Sequence, residues 1–90
     1  RMKDLSRKTY VIDQSNPLNE IDASELLEHL DDEGSMTASI NSLINGETII
    51  GDEENFGLEI DLSQDSLIIS VTFSEELQDV DFSAKLIIEY

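Results

Sequence analysis

His29 is the one histidine of the chain. On a helix it would lie four residues after Glu25 and three before Asp32, a spacing that brings both carboxylates onto its face. A general base oriented by a carboxylate has that composition, but so does an ordinary exposed histidine on an acidic helix. General acid–base chemistry also needs a second group in a complementary environment, and the sequence offers none. The serines stand in no nucleophile-elbow motif. Gly34, Gly46, Gly51 and Gly57 are the only glycines, scattered rather than spaced as a phosphate-cradling loop. No catalytic residue and no cofactor is assigned, and the chain reads as a non-enzyme.

Oxygen-rich loops are what hard cations need, and two stretches come near that requirement without meeting it. In Asp52-Glu53-Glu54-Asn55-Phe56-Gly57 the first and third positions are acidic and Gly57 fills the sixth. Phe56 occupies the fifth, however, and no Glu falls at the twelfth. Asp79-Val80-Asp81 is a bare acidic pair. The chain has no cysteine, which removes thiolate metal sites and disulfides together. No metal site is assigned.

The positive signal is charge. Of 90 residues, 21 are Asp or Glu and 5 are Lys or Arg, for a formal charge of −16. Arg1, Lys3, Arg7 and Lys8 stand at the start and Lys85 near the finish. From Thr9 to Ala84 there is no Lys or Arg, and every acid except Asp4 and Glu89 falls in that interval. Such a surface repels itself, and a charge of about 2–8 already keeps a small domain soluble. Direct nucleic-acid binding is excluded, because phosphate contacts need clustered Lys and Arg. Turned around, the same physics makes carboxylates a substitute for phosphates, in a small rigid body that enters the groove of a DNA-binding protein.

In acidity and size the chain resembles the DNA-mimic inhibitors, a functional class that includes phage anti-restriction proteins, anti-CRISPR proteins and uracil-glycosylase inhibitors. Members share no fold or motif, so the resemblance carries over no residue role. It implies a non-enzymatic inhibitor of a basic, nucleic-acid-processing protein. The carboxylates expected to meet that partner are Asp31, Asp32 and Glu33; Asp52, Glu53 and Glu54; Glu59 and Asp61; and Glu75, Glu76, Asp79 and Asp81. One alternative is an immunity protein or antitoxin that covers a basic nuclease toxin. Others are an acidic accessory subunit of a larger assembly and an ordinary halophile domain.

These groups need elements to hold them. Phe56 to Phe73 reads as a central hairpin, with Phe56, Leu58, Ile60 and Leu62 inward on one strand and Leu67, Ile69, Val71 and Phe73 on the other. Thr9–Asp13 reads as a short strand, broken by Ser15-Asn16-Pro17. A helix is expected from Asp22 as N-cap, with Glu25 as capping-box partner and Ile21 stapled onto Leu26, to Gly34 as C-terminal cap. It would bury Ala23, Leu26, Leu27 and Leu30, and its acidic last turn violates the macrodipole preference for cations. Residues 36–44 fit a strand or a helix. Their Ser, Thr and Asn content, with an Asn45-Gly46 turn leading into Glu47–Ile50, favours a strand. Ser74–Asp81 is an acidic connection tucked down by Leu77 and Val80. The last strand turns Phe82, Ala84, Leu86, Ile88 and Tyr90 to the core, leaving Ile87 with Tyr90 as an apolar edge for a two-fold.

The expected fold is therefore a single α+β domain over residues 1–90, with one helix packed on a mostly antiparallel sheet of about five strands. Residues 1–8 read as a flexible basic start, Arg1 as a cloning remnant and Met2 as the natural first residue. No apolar run approaches the roughly 20 residues that span a bilayer. The expectation is a cytoplasmic protein, monomeric or homodimeric, with a basic protein partner and no membrane contact.

Overall fold

Polar and apolar residues alternate along most of the chain, and that period of two becomes antiparallel sheet. The computed structural model describes residues 6–13, 15, 18–30 and 36–90, the side chains of 18 and 19 apart. In chain order these form β1 (Arg7–Asp13), β2 (Leu18–Asp22), a 3-10 helix (Ser24–His29), β3 (Thr37–Ile44) and β4 (Glu47–Ile49). There follow β5 (Phe56–Leu62), β6 (Leu67–Phe73), a second 3-10 helix (Glu75–Leu77) and β7 (Phe82–Glu89). One sheet has the order β1-β7-β3-β4 and the other β2-β6-β5.

The two sheets face each other across one core. From β7 come Phe82, Ala84, Leu86 and Ile88, and from β6 come Leu67, Ile69 and Val71, all buried. Their neighbours in sequence point outward, as the pleat requires. Three aromatics join the layers: the ring of Phe82 lies 5.0 Å from Phe73 and 5.8 Å from Phe56, centroid to centroid. Both distances suit tilted aromatic pairs. Leu26 and Leu77, one from each 3-10 helix, are buried in the same core.

The expected helix on a five-stranded sheet is overturned by this architecture. Helical structure among the described residues is confined to the two 3-10 turns, and the first ends at Leu30, whose backbone is extended. The reason lies in tertiary pairing. Ile21 and Asp22 pair with Ile69 and Ile68 as an edge strand, and the Ala23 N–H continues the ladder by donating to the Leu67 carbonyl at 2.8 Å. Asp22 is therefore a strand residue and Ala23 the N-cap, with no side-chain cap. The Asp22 carboxylate accepts instead from the Ser24 N–H and hydroxyl. Glu25 turns away from any capping box to bind Lys8. Local capping signals are worth about 1 kcal/mol, too little against a strand that buries Ile21.

The other expectations divide. The 36–44 stretch does prove a strand, over Thr37–Ile44, and Asn45 and Gly46 take φ of 52° and 80°, the two positive values of a type I′ hairpin turn. The central hairpin pairs Phe56 with Phe73 and Leu62 with Leu67 as expected. Ile60 and Leu62, however, are 45% and 49% exposed rather than covered. β1 takes in Arg7 and Lys8. β7 runs between β1 and β3, so Ile87 and Tyr90 form no free edge for a two-fold. Asp31, Asp32, Glu33 and Gly34, the expected helix end, and Asn16 and Pro17 of the expected break lie outside the described residues.

Face-to-face packing sets an order of costs. Phe82→Ala should destabilise by about 3–5 kcal/mol, and Ile60→Ala by about 1 kcal/mol or less. Urea unfolding of both variants checks this, and equal costs would contradict the assignment of Phe82 to the interior and Ile60 to its margin.

Candidate functional site

The outer faces of the two sheets differ in charge, although the same alternation builds both. On the smaller sheet, Glu20 of β2 and Glu59 of β5 both lie opposite Ser70 of β6, and Asp22 and Asp61 both lie opposite Ile68. Strand spacing puts the two members of each row about 10 Å apart, and the rows lie about 7 Å from each other. Glu20, Glu59 and Asp61 line a shallow depression that includes Ile68 and Ser70, and Asp22 stands in the same row as Asp61. Among the described residues no cation is paired with any of them. Asp22 is held below the usual carboxylate range by the Ser24 hydroxyl and N–H.

On the larger sheet the outer rows are Arg7 with Glu89, Thr9 with Ile87, Val11 with Lys85 and Asp13 with Ser83, continued on β3 by Thr37, Ser39, Asn41 and Leu43. Two cations and two anions cancel there. Arg7 and Glu89 form an ion pair at 3.4 Å, and Val11 and Leu43 are exposed.

A second acidic group stands at the end of the sandwich where β5 begins and β6 ends. The loop after β4 is fixed by one buried carboxylate. Asp52, 4% exposed, accepts from the Ser42 hydroxyl at 2.7 Å, the Asn55 side-chain amide at 2.9 Å, and the N–H groups of Asn55 at 3.0 Å and Glu54 at 3.2 Å. Its own N–H donates to the Ile40 carbonyl, and the Gly51 N–H donates to the Asn41 side chain. Burial pushes the Asp52 carboxyl up, and the Asn55, Ser42 and Glu54 hydrogen bonds together outweigh it, so the net displacement is downward. Gly51 supplies the left-handed backbone, φ +65°, that turns the chain into this loop.

That network sets Glu53 and Glu54 outward. The Ser74 N–H donates to the Asn55 carbonyl at 2.8 Å, which brings the second 3-10 helix, with exposed Glu75 and Glu76, beside them. The Ser74 hydroxyl caps that helix by accepting from the Glu76 N–H. Asp79 and Asp81 are exposed on the way into β7, Asp81 beside the Asn45-Gly46 turn.

Of the expected contact residues, the structure gathers Glu53, Glu54, Glu75 and Glu76 at one end and puts Glu59 and Asp61 on the adjoining sheet face. Asp79 and Asp81 extend the acidic end toward the β3–β4 turn. Asp52 is separated from the surface and holds the loop. Asp31, Asp32 and Glu33 lie outside the described residues. Glu20 and Asp22 are not among the expected contact residues, because the local signals around Asp22 are those of a helix start. The alternation of Glu20, Ile21, Asp22 and Ala23 was the signal that would have found them.

His29 does not engage Glu25. Its Nε2 lies 3.3 Å from Glu28 and its ring 5.7 Å from Tyr90, while Glu25 holds the Lys8 ammonium above its usual range. Among the described residues no three His, Asp or Glu side chains converge as metal ligands, and no helix is long and apolar enough to cross a membrane. The chain matches no family model, no curated protein and no solved structure.

Asp52 makes the acidic end testable through pH. Its folded pKa lies below the unfolded value, so its contribution is present above the unfolded pKa, near 3.9, and is lost as pH falls through the folded value. Asp52→Asn should cost about 1–3 kcal/mol at pH 7, and urea titrations should show that cost shrinking as pH drops below about 4. A cost independent of pH would contradict an ionised Asp52.

Proposed function

We propose that the chain is a non-enzymatic acidic binding protein that blocks a basic, nucleic-acid-handling protein by presenting carboxylates in place of phosphates. The observation that carries this reading is the asymmetry of the two outer faces. Among the described residues Glu20, Asp22, Glu59 and Asp61 have no cationic partner on their sheet face, while the charges on the opposite sheet face sum to zero. A coat kept for solubility has no reason to avoid one face. With Glu53, Glu54, Glu75 and Glu76 at the adjoining end, eight carboxylates are presented on fixed backbone, within the range of about 6–10 phosphates that a duplex-binding protein contacts.

Dimensions agree. The principal extents are 42 × 28 × 17 Å, and a duplex as long as the longest axis carries about 25 charges at roughly 1.7 Å per charge. A net charge of −16 on such a body approaches that linear density. Rigid placement favours association, because carboxylates already in position lose less freedom on binding, and their field speeds encounter with a basic groove.

The experiment is capture from source-cell lysate on the immobilised protein at low and high salt, followed by elution with duplex DNA. Nucleic-acid-processing proteins should be retained at low salt, released steeply as salt rises, and displaced by the duplex. A second column carrying Glu20→Lys, Glu59→Lys and Asp61→Lys should retain at least about tenfold less, a loss of roughly 1.4 kcal/mol. Retention that duplex DNA leaves unchanged, or that survives the triple substitution, would overturn the mimic reading.

A further inference from the structure

The smaller sheet has an open edge along β5, and its hydrogen-bonding pattern can be deduced. The Ser63 N–H donates to the Ser66 carbonyl at 2.9 Å, and the Ser74 N–H donates to the Asn55 carbonyl at 2.8 Å. Antiparallel ladders alternate bonded and non-bonded pairs, so these two bonds fix the phase between them. Gly57, Glu59 and Asp61 turn their backbone groups to β6, and Leu58, Ile60 and Leu62 turn theirs away from it. Among the described residues, nothing pairs with those outward groups of Leu58, Ile60 and Leu62.

The side chains of the same three residues face the core side of the sheet. Leu58 packs against the core, whereas Ile60 and Leu62 remain 45% and 49% exposed. Apolar surface on an inward register, left half-covered at an open edge, is an unfinished layer. The edge of β1 differs. Its inward row is Lys8, Tyr10 and Ile12, with Ile12 buried and Lys8 tied across the gap to Glu25. β4 has three residues and β2 five, and β2 has no half-exposed apolar residue among those whose side chains are described.

We infer that the β5 edge accepts an added strand from a partner protein, an extended segment in which Lys or Arg alternates with apolar residues. The apolar positions continue the row of Leu58, Ile60 and Leu62 toward the core, and the basic positions lie beside Glu59 and Asp61 on the outer face. Backbone groups supply affinity and the alternation supplies specificity, as in other cases of strand addition. Charge complementarity selects this occupant over a second copy of the chain. Antiparallel pairing of two β5 edges sets Glu59 and Asp61 against Glu59 and Asp61 of the other copy, and like charges across a strand pair repel. The inference rests on the β5 edge and holds whether or not the partner handles nucleic acid.

The test uses the full chain and a synthetic peptide of about eight residues, close to the length of β5, alternating Lys and Val. A peptide of the same composition in block order is the control. Amide hydrogen exchange should slow at least about tenfold at Leu58, Ile60 and Leu62 with the alternating peptide and remain unchanged with the control. Glu59→Lys combined with Asp61→Lys should weaken the alternating peptide about tenfold, since facing attractions become repulsions. Ile60→Pro removes an outward N–H while leaving the β5–β6 bonds in place, and should abolish the protection. If that variant unfolds, the charge-reversal pair decides. Protection on β1 or nowhere would overturn the inference. So would equal binding of the block peptide, or concentration-dependent protection of β5 without any peptide.

Discussion

Everything in this molecule depends on two central strands lying back to back. β6 and β7 each sit in the interior of a sheet, and every second residue of each is apolar and buried, save Phe73, which is partly buried. Neither sheet could persist alone, since a three- or four-stranded sheet with one apolar face needs a second layer to cover it. The aromatic contact of Phe73 and Phe56 with Phe82 joins the two layers, and Leu26 is buried in the same core. Once these rows are committed, the acids have nowhere to go but outward. An ionised carboxylate in an apolar interior is far more costly than any local preference of the strand that carries it.

Asp52 is the exception that organises the acidic end. Its carboxylate is buried and remains ionised because hydrogen-bond donors converge on it. The result is a loop whose exposed acids are fixed by its one buried acid. Fixed placement matters because neighbouring carboxylates repel. At about 7 Å the repulsion is roughly 0.6 kcal/mol in water, and a screening length near 8 Å at physiological ionic strength weakens it only in part. Each pair therefore costs about as much as a surface salt bridge contributes. A mobile loop would relieve that repulsion by moving apart, whereas the Asp52 network and the β5–β6 ladder hold the charges where they are.

How far the sequence reveals this depends on which force dominates each stretch. Where alternation and turn chemistry agree, as from Thr37 through Asn45-Gly46 to Glu47, the strands are readable directly. The inward row of β7 and the pairing of Phe56 with Phe73 were readable for the same reason. The stretch from Leu18 to His29 was not, because its helix-start signal is local and its actual partner, β6, lies more than forty residues away. Losing that strand turned two sheets into one and concealed Glu20 and Asp22. The role of Asp52 was equally hidden: in sequence it is one acid among Asp52-Glu53-Glu54, and only the approach of Ser42 from β3 separates it from its neighbours. The half-covered state of Ile60 and Leu62 is also a tertiary fact, since periodicity sets the face of a residue but not what lies above it.

The distribution of charge between the sheets argues further about what the acidity is for. Had selection acted on solubility alone, carboxylates would be expected wherever a strand turns a residue to solvent. The larger sheet turns out Thr9, Val11, Thr37, Ser39, Asn41, Leu43 and Ser83, and the two acids on that outer face of β1, β7 and β3, Asp13 and Glu89, are equalled in number by Arg7 and Lys85. The smaller sheet places four acids, with no cationic partner among the described residues, on β2 and β5, on either side of the uncharged Ile68 and Ser70. Repulsion within one face is harder to sustain than the same charges spread over two, so the concentration is a cost the fold could have avoided. The concentration of this cost on one side, together with the apolar residues left half-covered at the adjacent β5 edge, is what the proposal of a basic and partly apolar partner rests on.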